Sequence, residues 1–124
     1  MQDKKILIID DCRLTLTVAK DILEAEGYEV ATAEASLAAN PLIFSSNPPD
    51  LILIDVEMPL LGGGQTTQIL KSRSKSKDIA ILMTSAKPQE ELSVIAEQSG
   101  ADGFVCKPLL PEVLLSRVRS LISP

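Results

Sequence analysis

Histidine is absent from this 124-residue chain. That gap removes imidazole-ligated metal sites, Ser-His nucleophilic pairs and any phosphohistidine formed within the chain itself. Tryptophan is absent too, and one Tyr and two Phe are the whole aromatic complement. There is no platform for stacking bases, and the core must be aliphatic. An excess of positive charge is also missing: the formal net charge is −5, so a nucleic-acid backbone is not expected as a direct partner. No apolar run approaches the ~18 residues of a membrane span, so no membrane association is expected. Met1-Gln2-Asp3-Lys4-Lys5 lacks the apolar segment of a signal peptide. The two cysteines, Cys12 and Cys106, have no CxxC spacing and read as reduced thiols of a cytoplasmic protein. No GxxxxGK[ST] occurs, which excludes a P-loop nucleotidase.

What remains is a chain of the size of one domain, taken as residues 1–124, rich in aliphatic runs. Lys5-Ile6-Leu7-Ile8-Ile9, Leu51-Ile52-Leu53-Ile54 and Ile79 to Met83 show no alternation, so both faces of each want burial, as in central strands of a parallel sheet. Tyr28 to Ala33 and Gly103 to Cys106 are two further strands. Between them, helical spacing runs from Arg13 to Glu26 with Gly27 as its stop, from Gly63 to Ser74, and from Pro88 to Ser99 with Gly100 as its cap. A last helix covers Pro111 to Ile122, with Val113, Leu114, Val118, Leu121 and Ile122 on its buried side. Ser36 to Ser46 is the hardest segment. Pro41 would break a helix there, so Asn40 is expected as N-cap with Pro41 at the first helical position. The basic run Lys71, Arg73, Lys75 and Lys77 reads as a solvated helix end. Five strands alternating with five helices give an α/β fold: a parallel sheet with helices on both faces.

Four strands end in polar residues: Asp10-Asp11, Asp55, Thr84-Ser85 and Lys107. In a parallel sheet these ends share one edge, where ligands bind. Three crowded carboxylates repel, and a hard divalent cation such as Mg²⁺ is the simple remedy. With a lysine and a hydroxyl beside them, the set reads as a phosphoryl-transfer site in which Asp55 is the nucleophile. A donor must come from outside, because the chain has neither a histidine nor a phosphate loop.

Asp10-Asp11, Asp55, Met58-Pro59, Gly63, Ser85-Ala86, Phe104 and Lys107-Pro108 together resemble the receiver domain of two-component response regulators, in order and spacing, over essentially the whole chain. The resemblance implies a flavodoxin-like three-layer sandwich with strand order 2-1-3-4-5. It also implies that Asp55 accepts a phosphoryl group from the phosphohistidine of a sensor histidine kinase or phosphotransfer protein. Asp11, Asp55 and the carbonyl of Glu57 would hold Mg²⁺, with Asp10 acting through water. Lys107 would contact the phosphoryl group, and Ser85 would hydrogen-bond it. Phe104 falls at the switch position, though it reads equally as a core ring. The surface made by the fourth helix, fifth strand and fifth helix would signal to a downstream protein target, an output domain or a second copy in a homodimer. Such a chain is a switch and not an enzyme with a separate substrate. A cis Lys107-Pro108 bond is expected. Glu57 and Lys87 are expected to pair across the site mouth and impede water.

Blander readings stand beside these: Asp10 and Asp11 could cap the first helix, and Lys107 could be a solvated loop residue. The enzymatic alternative is a phosphatase of the haloacid dehalogenase type, which also forms an aspartyl-phosphate. It wants an Asp two residues after the nucleophile, where this chain has Glu57, and a nucleophile on the first strand.

Overall fold

The computed structural model describes residues 4–122. Strands β1 (Lys5–Ile9), β2 (Glu29–Ala33), β3 (Leu51–Asp55), β4 (Ala80–Ser85) and β5 (Gly103–Cys106) alternate with helices α1 (Arg13–Ala25), α2 (Ser36–Ile43), α3 (Gly63–Ser72), α4 (Gln89–Ser99) and α5 (Pro111–Leu121). All strand pairs are parallel, in the order β2-β1-β3-β4-β5.

Because side chains alternate across a strand, each apolar run supplies both faces of the sheet. Ile6, Ile8, Leu51, Leu53 and Leu82 pack with Leu16, Leu23, Leu114 and Val118, which places α1 and α5 on one face. Leu7, Ile9, Ile52, Ile54 and Ile81 pack with Ile43, Leu70, Leu92 and Ala96, which places α2, α3 and α4 on the other. Each fully buried Leu or Ile contributes roughly 1.5–3 kcal/mol. β1, β3 and β4 are almost wholly buried while β2 is half-exposed, as the apolar runs anticipate.

Three expectations need correction. Helix α2 starts at Ser36 with Ala35 as N-cap, so Pro41 lies inside it and Asn40 is not its cap. The missing Pro41 N–H leaves the Leu37 carbonyl without its helical donor, and Leu37 is exposed, so water can serve it. The helix ends two residues later. On α5 the buried residues are Leu114, Leu115 and Val118, whereas Val113 is exposed. Lys71 is no solvated residue: its ammonium donates to the carbonyl of Ile79 at 2.9 Å and to Asp102 Oδ2 at 2.7 Å. Asp102 also accepts the Ile81 N–H, so this lysine ties α3 to the start of β4 and the turn into β5.

Gly63 opens α3 hard against β3. A Cβ there would stand 2.5 Å from the Asp55 carbonyl oxygen. Gly100 closes α4 at φ +83°, as its place after the helical run predicts.

Candidate acidic site at the strand ends

β1 and β3 are neighbours in register, with Ile9 beside Ile54, so their C-terminal ends bring Asp10 and Asp55 together. Asp10 remains in line with its strand because its N–H donates to the Ala33 carbonyl. Carboxylate oxygens of Asp10, Asp11 and Asp55 all lie within 4.8 Å of one another. Asp10 and Asp55 are buried, and Asp11 is exposed. Neither aspartate of the first pair caps α1. Its N-cap is Cys12, whose N–H donates to Asp10 Oδ1 at 2.9 Å.

Lys107, just past β5, extends across the sheet edge. Its ammonium stands 3.0 Å from Asp10 Oδ2 and 3.7 Å from Asp55 Oδ2. The bond from Lys107 to Pro108 is cis, as expected. Burial works to lower the lysine pKa, but the close ion pair with Asp10 and the charge of Asp55 outweigh it and raise it. Burial, then repulsion from Asp10, push the Asp55 carboxyl from 3.8 up to about 6. The Glu57 N–H, donating to Asp55 Oδ1 at 3.2 Å, and the Lys107 charge pull the other way.

This donor set fits a hard divalent cation. It offers carboxylate oxygens from three residues in one shell, and the buried Asp10 Oδ2 has the Lys107 charge beside it but no aligned hydrogen-bond donor. Among the described residues it is the only group of this kind.

Of the two hydroxyls ending β4, Ser85 faces the site. Ser85 Oγ donates to Glu57 Oε1 at 2.6 Å and accepts the Lys87 N–H at 3.0 Å. Thr84 is buried with its hydroxyl unpartnered among the described residues. The expected Glu57–Lys87 ion pair is not formed among the described residues. Glu57 instead accepts the Ser85 hydroxyl. Sequence reasoning missed this contact and the Lys107–Asp10 pair. Opposite charge was the only signal for the second and does not specify a partner; the first had none. Phe104, beside Met83 in the sheet, is half-buried against the face that carries α4.

The sequence matches the family described as response regulator receiver domain over residues 6–119. The phosphate regulon transcriptional regulatory protein PhoB of Pseudomonas aeruginosa is 34% identical over 122 residues, which are 98% of this chain and 53% of that protein. The chain thus spans about half the length of the curated relatives it matches. Among solved structures, the chemotaxis protein CheY4 of Vibrio cholerae has a TM-score of 0.88 at 28% identity, covering 98% of this chain and all of that one. The receiver domain of the sensor histidine kinase PA1611 from Pseudomonas aeruginosa has a TM-score of 0.86, covering 99% of this chain and all of its own. It has a magnesium ion coordinated in its active-site cleft, and at 21% identity the likeness is one of fold. The dehalogenase-type alternative is not favoured, since the family match over residues 6–119 is to the receiver domain. Receiver domains are signalling switches, for which aspartate phosphorylation and Mg²⁺ binding are typical. A likeness that runs from residue 6 to residue 119 in sequence, and over 98% of the chain in space, is membership: this protein belongs to the response regulator receiver domain family.

Proposed function

We propose that Asp55 is the phosphoacceptor of this receiver domain and that its donor is a phosphohistidine on a sensor kinase or phosphotransfer protein. The observation that carries the reading is the meeting of three carboxylates within 4.8 Å, with the Lys107 ammonium 3.7 Å from Asp55. In the transfer, an Asp55 oxygen forms the O–P bond as the N–P bond of the donor breaks, and the imidazole leaves with the electron pair. Asp55 must be ionised to attack, and with a pKa of about 6 most of it is at pH 7.5. Lys107 offsets charge on the transferring oxygens. Ser85 exchanges its bond to Glu57 for one to a phosphoryl oxygen. Asp11, Asp55 and the Glu57 carbonyl, with Asp10 through water, would hold Mg²⁺, which would supply charge neutralisation at the same oxygens.

Phosphorylation then biases two arrangements of the surface formed by α4, β5 and α5, with Phe104 following Ser85. That face addresses a downstream target, an output domain or a second copy. The product is the modified chain itself, so no separate substrate is turned over. A cytoplasmic setting goes with this role; among the described residues, no helix is long and apolar enough to cross a membrane.

The test is incubation with a small acyl-phosphate donor and Mg²⁺, read by intact mass. One added phosphoryl group, absent in a folded Asp55→Asn variant, is expected. Equal labelling of that variant, or repeated hydrolysis of a phosphomonoester, would overturn the assignment.

A further inference from the structure

Acidic side chains outnumber basic ones in this protein, yet two stretches of the chain have none. From Ala35 to Pro49 and again from Met58 to Lys77 there is no Asp or Glu, while Lys71, Arg73, Lys75 and Lys77 all fall there. These segments carry α2, α3 and the loops beside them. Lys71 is held by Asp102, but Arg73 and Lys75 make no ion pair among the described residues.

The same surface carries exposed apolar side chains. A groove of about 160 Å³ runs between α2 and α3, lined by Leu37, Phe44, Leu61, Ile69 and Arg73 among others. Leu37 is 65% exposed, Ile69 40% and Phe44 39%. The Arg73 guanidinium lies 5.9 Å over the Phe44 ring, so charge and apolar surface meet at one end of the groove. Leu60, next to the lining residue Leu61, is 98% exposed and sits at φ +70°. That φ belongs to a γ-turn closed by the Leu61 N–H on the Pro59 carbonyl at 2.9 Å, which leaves the leucine side chain in water beside the groove.

We infer that the α2–α3 groove docks an acidic amphipathic segment of a partner protein, one that presents apolar side chains flanked by carboxylates. Aliphatic lining takes the apolar side chains, and Arg73 and Lys75 take the carboxylates. Nucleic acid fits less well: the lining holds one Phe and no Tyr or Trp on which bases could stack. This surface lies away from the face formed by α4, β5 and α5, and the inference does not depend on the assignment of Asp55.

Random peptides displayed on phage would be selected on the immobilised protein, and the enriched sequences synthesised and titrated. Enriched peptides are expected to combine Leu, Ile or Phe at helical spacing with Asp and Glu. Arg73→Glu/Lys75→Glu should weaken them by about tenfold or more and turn fresh selections toward Lys- and Arg-bearing sequences. Ile69→Asp should weaken them comparably, while Val94→Asp on α4 should not. Circular dichroism and thermal unfolding confirm that each variant is folded. No enrichment, enrichment without acidic bias, or peptides indifferent to the Arg73 and Lys75 reversals would overturn the inference. So would a single-stranded oligonucleotide that binds more tightly than the peptides and is lost in the same variant.

Discussion

Burial holds the Asp55 carboxyl near 6, against 3.8 for the free side chain, and the charge of Asp10 adds to the effect. Between those values the folded chain keeps a proton that the unfolded chain releases. Without metal, stability therefore falls as pH rises through this window, and the full penalty remains above about pH 6. Asp55→Asn, which imitates the neutral carboxyl, should raise stability in EDTA at pH 7.5 by something on the order of 2 kcal/mol. At pH 4 the gain should nearly vanish. Urea titrations of both proteins at the two values measure this, and an equal gain at both would rule out Asp55 as its source. Glu57 sets a different balance. Its 2.6 Å bond to Ser85 must break before that hydroxyl can serve a phosphoryl oxygen, and a hydrogen bond to a charged acceptor contributes ~1.5–3 kcal/mol. Glu57→Ala should thus favour the phosphorylated form by about tenfold at a limiting acyl-phosphate concentration. In a Ser85→Ala background the same change should do almost nothing, and mass spectrometry of the steady state reads both.

At the scale of elements, the site depends on how closely α3 approaches β3. Gly63→Ala would put a methyl group 2.5 Å from the Asp55 carbonyl oxygen, which is backbone and cannot rotate away. Overpacking of this kind costs ~1–3 kcal/mol. Thermal unfolding of Gly63→Ala should register that loss, and acyl-phosphate labelling should slow because the displaced strand end carries Asp55. The glycine was visible in the sequence only as part of a motif, since spacing does not say which atom a Cβ would meet. The central strands were legible because an unbroken aliphatic run has few places to go except between two layers. Carboxylates at the ends of β1 and β3, a hydroxyl pair after β4 and Lys107 after β5 followed from strand order, whereas the choice of Ser85, the residue roles and the cis Lys107-Pro108 bond came from the family resemblance. Helix α2 misled for a physical reason. Local proline chemistry favours the first helical position, but Ala39 and Ile43 gain more by packing on the sheet than the Pro41 hydrogen bond costs. Lys71 and Glu57 misled because their partners, Asp102 and Ser85, are distant in the chain and meet only once the sheet is assembled.

For the whole molecule, a cation held at the acidic edge would couple binding to folding, because the carboxylates follow β1 and end β3 and meet as a set only in the folded chain. A ligand present at ten times its dissociation constant stabilises by about 1.4 kcal/mol, or roughly 5 °C in Tm for a domain of this size. Lys107 competes for the same space. Its ammonium offsets part of the charge of the three carboxylates and is, among the described residues, the one charged partner of the buried Asp10 Oδ2. Two effects of opposite sign follow from Lys107→Ala. The metal-free protein should lose stability, on the order of 2 kcal/mol, because the carboxylates then repel one another without compensation in a partly dry site. The Tm gain on adding Mg²⁺ should increase, because a more negative site binds the divalent cation more tightly and no ammonium has to be displaced. Scanning calorimetry of both proteins across a Mg²⁺ titration separates the two effects. A lysine that merely filled space would lower Tm in this variant and leave the Mg²⁺ increment unchanged. If the increment shrank, Lys107 would be helping to assemble the cation site and not competing with it.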